Sequence, residues 1–356
     1  MHVNPGVAVR AAHLLTPTTG WVLTDTRLLV TADGGRTWAD VTPPSTANAP
    51  LLTAFFLNPS QAWAIVRSSQ VNLAADLVPL VLFTSSDGGR HWASRPMPAT
   101  IKYDTPGPVY LTFVDTVRGW LVVDQGSHAG FMYYTGFQTT DGGRSWASVS
   151  YPQSAPVRFA NRLDGFSGGG PAARGMFVTH DGGMSWEPVL VPAIGPSSRS
   201  PIFQLPVFYD SPHGVLGGVL ADPSGGTAAE AFYTTSDAGR TFSLAGTVSN
   251  PEPQKSGQVA GVMNAKVWLA AFLGVGNIGG TTTTRLKATG DGGHTWEWLP
   301  TILPGFLMDA ISFAGPTGWA ILDESGCLSF KTDCFTRVGL FQTTDAGAHW
   351  LQLSIT

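Results

Sequence analysis

Charge is scarce in this chain. Lys, Arg, Asp and Glu make up only 12% of its 356 residues, and the formal net charge is −4, with no run of like charges. That excludes the basic footprint of a nucleic-acid binder and the polybasic patch of a membrane-surface protein. Long apolar runs are missing as well: no stretch reaches the roughly 18 residues that a spanning helix needs, so no membrane span is expected. The first six residues, Met1 to Gly6, have neither the charged nor the apolar region of an export signal. Glutamate is limited to Glu187, Glu230, Glu252, Glu297 and Glu324, which leaves few candidates for acid–base chemistry. Cysteine is limited to Cys327 and Cys334. A disulfide between them would close a small ring worth roughly 2.5 kcal/mol on a chain-entropy estimate. That bridge is the favoured expectation, and with it an oxidising, extracytoplasmic or secreted location whose export signal is absent from this chain. Two free thiols in a reducing compartment are the alternative.

What the chain has is apolar bulk, turns and a repeat. Hydrophobic residues make up 43%, and 43 Gly and 26 Pro suit many short strands joined tightly. The segment Thr31-Ala32-Asp33-Gly34-Gly35-Arg36-Thr37-Trp38 returns around Asp87, Asp141, Asp181, Asp237, Asp291 and Asp345. These aspartates are spaced 54, 54, 40, 56, 54 and 54 residues apart. Each residue type suits a rigid hairpin. The Asp carboxylate accepts hydrogen bonds from amides of its own turn. The Gly two positions on permits positive φ. A Ser or Thr closes the turn, although His91 and His349 replace it twice. The Trp, or Phe242, wedges between sheets.

An apolar strand precedes each turn, as in Leu28-Leu29-Val30. Further upstream runs a second signature, Gly20-Trp21-Val22-Leu23, with copies at Trp63, Trp120, Trp268 and Trp319. An alternating strand such as Leu52 to Phe56 lies before that. Each unit therefore reads as strands A, B, C and D, with a variable loop between B and C and the aspartate turn between C and D. Four strands per unit, repeated radially, predict an all-β, seven-bladed β-propeller in one domain over 1–356. The blades fall at about 6–44, 50–98, 108–152, 155–192, 202–247, 257–300 and 307–356. Blade 4 is degenerate, with Phe166 for the strand-B Trp and Gly168-Gly169-Gly170 in place of a B–C loop. No strand is left over to cross the closure, so blades 1 and 7 are expected to meet by face packing.

These motifs resemble the Asp-box, or BNR, repeat, Ser/Thr-x-Asp-x-Gly-x-Thr-Trp, over essentially the whole chain. The strand-B Gly-Trp signature is most similar to the photosystem II stability/assembly-factor type of seven-bladed propeller and its bacterial relatives. Sialidases, sortilin-type receptors and xyloglucan-cleaving glucanases also carry such boxes. The resemblance implies that the seven aspartates are structural and lie away from the functional face. A propeller hosts unrelated functions, so function has to come from loops.

A sialidase-like site needs an Arg triad, a Tyr–Glu pair and an acidic Asp on six blades; here there are seven, and Val9-Arg10-Ala11 does not match the usual opening. Glu187 and Glu297 follow turn Trp residues, so they belong to outer strands. Glu230 starts a strand beside Tyr233 and reads as a solvated side chain. Of twelve Trp residues, six sit in turns and five in strand-B signatures, leaving only Trp298. No His spacing suggests a metal, and no phosphate loop or cofactor fingerprint occurs, so no cofactor is expected. The favoured expectation is a monomeric, non-catalytic binding or assembly module for a protein segment or cell-surface polymer. The alternative is an exported glycoside hydrolase using loop-face carboxylates.

Four residues past each strand-B Trp stand Asp25, Arg67, Asp124, Phe272 and Asp323. Their charged members are expected where strand B leaves toward the variable loop, with Glu324, His128 and Asp222 close by. Propellers bind ligands at this loop face, so these seven charged or titratable residues form the candidate ligand site. Mutual pairing, for instance of Arg67 with Asp25 or Asp124, is the bland alternative.

Overall fold

The computed structural model describes residues 3, 6–44, 50–69, 76–103, 107–128, 131–152, 156–168, 176–192, 194, 202–221, 227–249, 257–275, 282–329 and 332–355. The chain is an all-β, seven-bladed β-propeller with four-stranded antiparallel blades, and no helix occurs among the described residues. Contacts divide it into two compact units. One comprises Met1–Thr24, Val30–Ala39 and Leu190–Thr356, with most of blade 1 and blades 5, 6 and 7. The other comprises Asp25–Leu29 and Asp40–Val189, with blades 2, 3 and 4.

In the second unit, blade 2 runs Leu51–Phe56, Ala62–Arg67, Leu77–Ser85 and Ala93–Lys102, and blade 3 runs Val109–Phe113, Gly119–His128, Phe131–Thr139 and Ala147–Val149. Blade 4 is cut down to Val157–Phe159, Gly165–Ser167, Phe177–Thr179 and Glu187–Pro188. Strand B is the most buried strand because sheet neighbours flank it and other blades cover its faces; Ala62 to Val66 are all buried. This is why its sequence reads as a short unbroken apolar run. The core lies in the seams between blades. Trp63, Leu80, Leu82 and Met97 of blade 2 pack on Leu111, Phe113 and Leu121 of blade 3. Trp63 stacks on Phe113 with centroids 3.8 Å apart, worth about 1 kcal/mol beyond burial. The Gly of the Gly-Trp signature is required by close approach: a Cβ on Gly119 would lie 2.5 Å from the Phe113 ring of strand A.

In the first unit, blade 1 contributes Val9–Leu14 and Gly20–Thr24, and blade 6 runs Gly257–Val262, Trp268–Val275, Thr282–Thr289 and Glu297–Pro304. Strand A is broken in blades 5 and 7, where both pieces pair with strand B: Ile202–Phe203 and Val207–Phe208 with Gly214–Ala221, and Phe306–Leu307 and Ser312–Ala314 with Thr317–Asp323. Blades 1 and 7 meet by face packing. Val9, Leu14 and Val22 share a core with Trp319, Ile321 and Leu340. Trp38 lies 5.7 Å from Trp319 and donates its indole N–H to Ser354 O at 2.9 Å. Among the described residues no strand is exchanged; instead Val3, 1% exposed, is buried in the core shared by blades 6 and 7.

The stretch around the cysteines is a hairpin. Gly326–Ser329 pairs with Thr332–Phe335, and Cys327 stands directly across from Cys334. Their side chains lie outside the described residues.

Candidate functional site

Each aspartate turn is built by one repeated network. In blade 3, Thr139 Oγ1 donates to Asp141 Oδ1 at 2.8 Å and accepts Gly143 N–H at 2.9 Å. Asp141 Oδ1 accepts Ser145 N–H at 2.9 Å, and Oδ2 accepts the Ser145 hydroxyl at 2.6 Å. The same bonds recur around Asp33, Asp181, Asp237 and Asp291. Where histidine replaces the hydroxyl, its ring substitutes for it: His91 Nδ1 and His349 Nδ1 each lie 2.6 Å from Oδ2 of Asp87 and Asp345. Asp33 is held at about 2, chiefly by the Thr37 hydroxyl and its amide. At Asp141 burial works against ionisation, but the Ser145 hydroxyl and amide outweigh it and hold the carboxyl at about 2.

The turns lie on one rim of each blade. The amide of the residue after each Asp donates to the A–B turn of the same blade: Gly34 to Thr18, Gly88 to Ser60, Gly142 to Val117, Gly182 to Leu163, Ala238 to Pro212, Gly292 to Lys266 and Ala346 to Pro316. In an antiparallel blade the B–C loops then stand at the opposite end. The Ser or Thr two residues before each Asp was assigned no role in the sequence reading, yet it is the buried hub of the turn. Its presence in all seven copies was the available signal.

Four residues past the strand-B Trp the candidate residues behave differently from one another, and strand B of blade 3, Gly119–His128, runs on past Asp124 instead of leaving there as expected. Asp25 is exposed. Arg67 ends strand B of blade 2, half-buried, with its guanidinium 5.3 Å from the ring centroid of Tyr103, which is exposed. Asp124 is buried, and its Oδ1 accepts Gly126 N–H at 2.6 Å. Tyr134 stands across from it, and its hydroxyl is pushed up to about 12 by burial and then by the Asp124 charge. Asp323 accepts Ser325 N–H at 2.7 Å. Glu324, 5% exposed, accepts Val3 N–H at 2.7 Å and lies 4.0 Å from Arg337 Nη1. Phe272 is buried. The side chain of His128 and the whole of Asp222 lie outside the described residues. Asp323 and Glu324 are adjacent in the first unit, and Arg67 and Asp124 belong to neighbouring blades of the second.

Glu230 corrects the sequence reading. It is not solvated: it is 1% exposed, because strand C of blade 5 (Thr227–Thr235) turns Glu230 and Phe232 toward blade 6. Neither carboxyl oxygen has a hydrogen-bond partner among the described residues. Burial raises its pKa well above the ordinary carboxylate range, against the pull of Lys287. Lys287 is itself lowered, by burial and then by Arg285.

No family model matches the chain, and no curated protein matches it in sequence. Solved structures share its fold. It is similar to YCF48 solved bound to a D1 peptide, at TM-score 0.57 and 15% identity, covering 96% of this chain and 93% of that one. It is similar to YCF48 from Cyanidioschyzon merolae, at TM-score 0.57 and 16% identity, covering 90% and 94%. It is also similar to the GH74 xyloglucanase from Xanthomonas campestris, at TM-score 0.61 and 14% identity, covering 99% of this chain but 55% of the enzyme. At these identities the likeness is one of fold, and one fold hosts both binders and hydrolases.

Proposed function

We propose that this chain is a non-catalytic binding module that recognises an extended segment of a partner protein at the strand-B exits of its blades. The observation that carries this reading is the state of the carboxylates there. Asp124, Asp323 and Glu324 each accept a main-chain N–H, from Gly126, Ser325 and Val3. A glycoside hydrolase needs a pair of carboxyl groups free to move a proton and to attack, or to activate water; these three are engaged in holding loops and the N-terminal segment.

Arg67, with its guanidinium over the Tyr103 ring, supplies a surface pair at the strand-B end of blade 2. Arg and Tyr carry much of the energy of protein interfaces, and a stacked pair has little rotamer freedom left to lose on binding. Asp25, exposed in the same unit, belongs to the same proposal. The fold likeness to a propeller solved with a peptide, over nearly the full length of both chains, is consistent with the reading. An exported location with Cys327 bridged to Cys334 belongs to the same proposal.

Selection from a display library of random peptides tests it, alongside hydrolysis assays on xyloglucan oligosaccharides and sialosides. Enriched peptides whose affinity falls in Arg67→Ala support the module. Turnover of either glycan, with no peptide enriched, overturns it in favour of a hydrolase.

A further inference from the structure

Blade 6 turns one sheet face toward blade 5. On that face Phe272 of strand B stands across from Arg285 of strand C, and Lys287 stands across from Trp298 of strand D. Arg285 and Lys287 are two residues apart on one strand, so both point the same way. The Arg285 guanidinium lies 4.2 Å from the Trp298 ring centroid. Lys287 Nζ lies 4.8 Å from the same ring and 5.7 Å from Phe272. Arg285 is exposed, while Lys287 and Trp298 are half-buried.

Two like charges this close repel, and neither forms an ion pair among the described residues. The natural counter-charge is Glu230, but its carboxyl is buried on blade 5 and bonded to nothing described. Its carboxyl oxygens bond to neither cation, which leaves both without a bonded counter-ion among the described residues. A guanidinium stacked on an indole has already lost much of its rotamer freedom, and stacking leaves its N–H edges available for the two parallel bonds that a carboxylate accepts. Across from Arg285 stands Ile302, 52% exposed. This apolar margin suits the methylene stem of an acidic side chain better than the hydroxyls of a sugar.

We propose that Arg285 and Lys287, shelved on Trp298 at the seam of blades 5 and 6, form a carboxylate-recognition site for an acidic segment of a partner protein. The proposal rests on the protein-segment reading above but does not use Arg67.

The test is calorimetric titration of hexaglutamate at low ionic strength, with hexaglutamine as control, into the wild type, Arg285→Gln, Lys287→Met and Arg67→Ala. Hexaglutamate should bind the wild type, weaken by about tenfold in each of the first two variants, and bind Arg67→Ala unchanged. Absent binding, equal binding by Arg285→Gln, or equal binding of hexaglutamine would overturn the site. Tighter binding of hexagalacturonate than of hexaglutamate would overturn the partner class. Loss in Arg67→Ala alone would overturn this site while leaving the Arg67 surface standing. Failure of display peptides to depend on Arg67 would sink that surface without touching this titration.

Discussion

The indole N–H of Trp120, in strand B of blade 3, donates to the main-chain oxygen of Gly182, in the aspartate turn of blade 4, at 2.8 Å. Gln138 Nε2 donates to the same oxygen at 2.7 Å, and Trp63 makes the matching bond to Gly142 at 3.0 Å. The turn rim is thus where blades 2, 3 and 4 are tied together, and the recognition surface proposed above lies at the opposite blade ends.

Thr139 is 1% exposed and holds Gly143 N–H, whereas Ser145 is exposed. Thr139→Val keeps the shape but strands a buried donor, so it should cost about 1–3 kcal/mol. Ser145→Ala, whose freed partner reaches water, should cost under about 1 kcal/mol. Chemical denaturation of both variants checks this. Equal losses would mean that the hydroxyl hub is not the turn's main fastening.

Five of the seven turns have Gly after the Asp, but blades 5 and 7 have Ala238 at φ 59° and Ala346 at φ 61°. An L-residue with a Cβ is strained there. Ala238→Gly and Ala346→Gly should each stabilise the protein by about 0.5–1 kcal/mol, net of the entropy that Gly loses. A lowered melting temperature in both would contradict the strain.

Glu230 binds its proton more tightly in the folded than in the unfolded chain, because burial raises its pKa. Above the unfolded value the native state then holds more protons, so stability falls as pH rises, until the folded pKa is passed. Within that window the slope from this one group is about 1.4 kcal/mol per pH unit. Lys287 of blade 6 is the charged group that acts on it among the described residues. Glu230→Gln should lack this fall when melting temperature is followed from acid to mildly alkaline pH. Parallel profiles for variant and wild type would show that Glu230 ionises freely.

Cys327 and Cys334 face one another in register. Protein purified without reductant should therefore show no thiol to Ellman's reagent until it is unfolded and reduced. Two reactive thiols in native protein would remove the bridge, and with it the chemical argument for an oxidising compartment.

The blades were legible in the sequence because their signals are local. An Asp and Gly at fixed offsets specify a turn wherever they fall, and the Gly-Trp pair marks strand B because only Gly fits beneath Phe113 or Phe313. The condition of the candidate site was not legible. Counting from Trp120 or Trp319 places Asp124 and Asp323 at strand ends, but not whether each carboxylate faces water or caps a loop amide. Glu230 was misread because Ala229 and Ala231 beside it give no periodicity. Its burial comes from the strand face that packs on the next blade, where Phe232 meets Trp268, which no local pattern encodes. Arg285 and Lys287 went unnoticed for the same reason: their meaning lies in the Trp298 ring between them, on another strand.

The most direct test of a recognition surface opposite the turn rim is calorimetric titration of one display-selected peptide into the wild type, Arg67→Ala and Thr139→Val. A binding surface at the strand-B exits predicts a loss of about tenfold in Arg67→Ala and less than about twofold in Thr139→Val, measured where both variants are folded. Unchanged affinity in Arg67→Ala, or a tenfold loss in Thr139→Val, would place recognition elsewhere and contradict it.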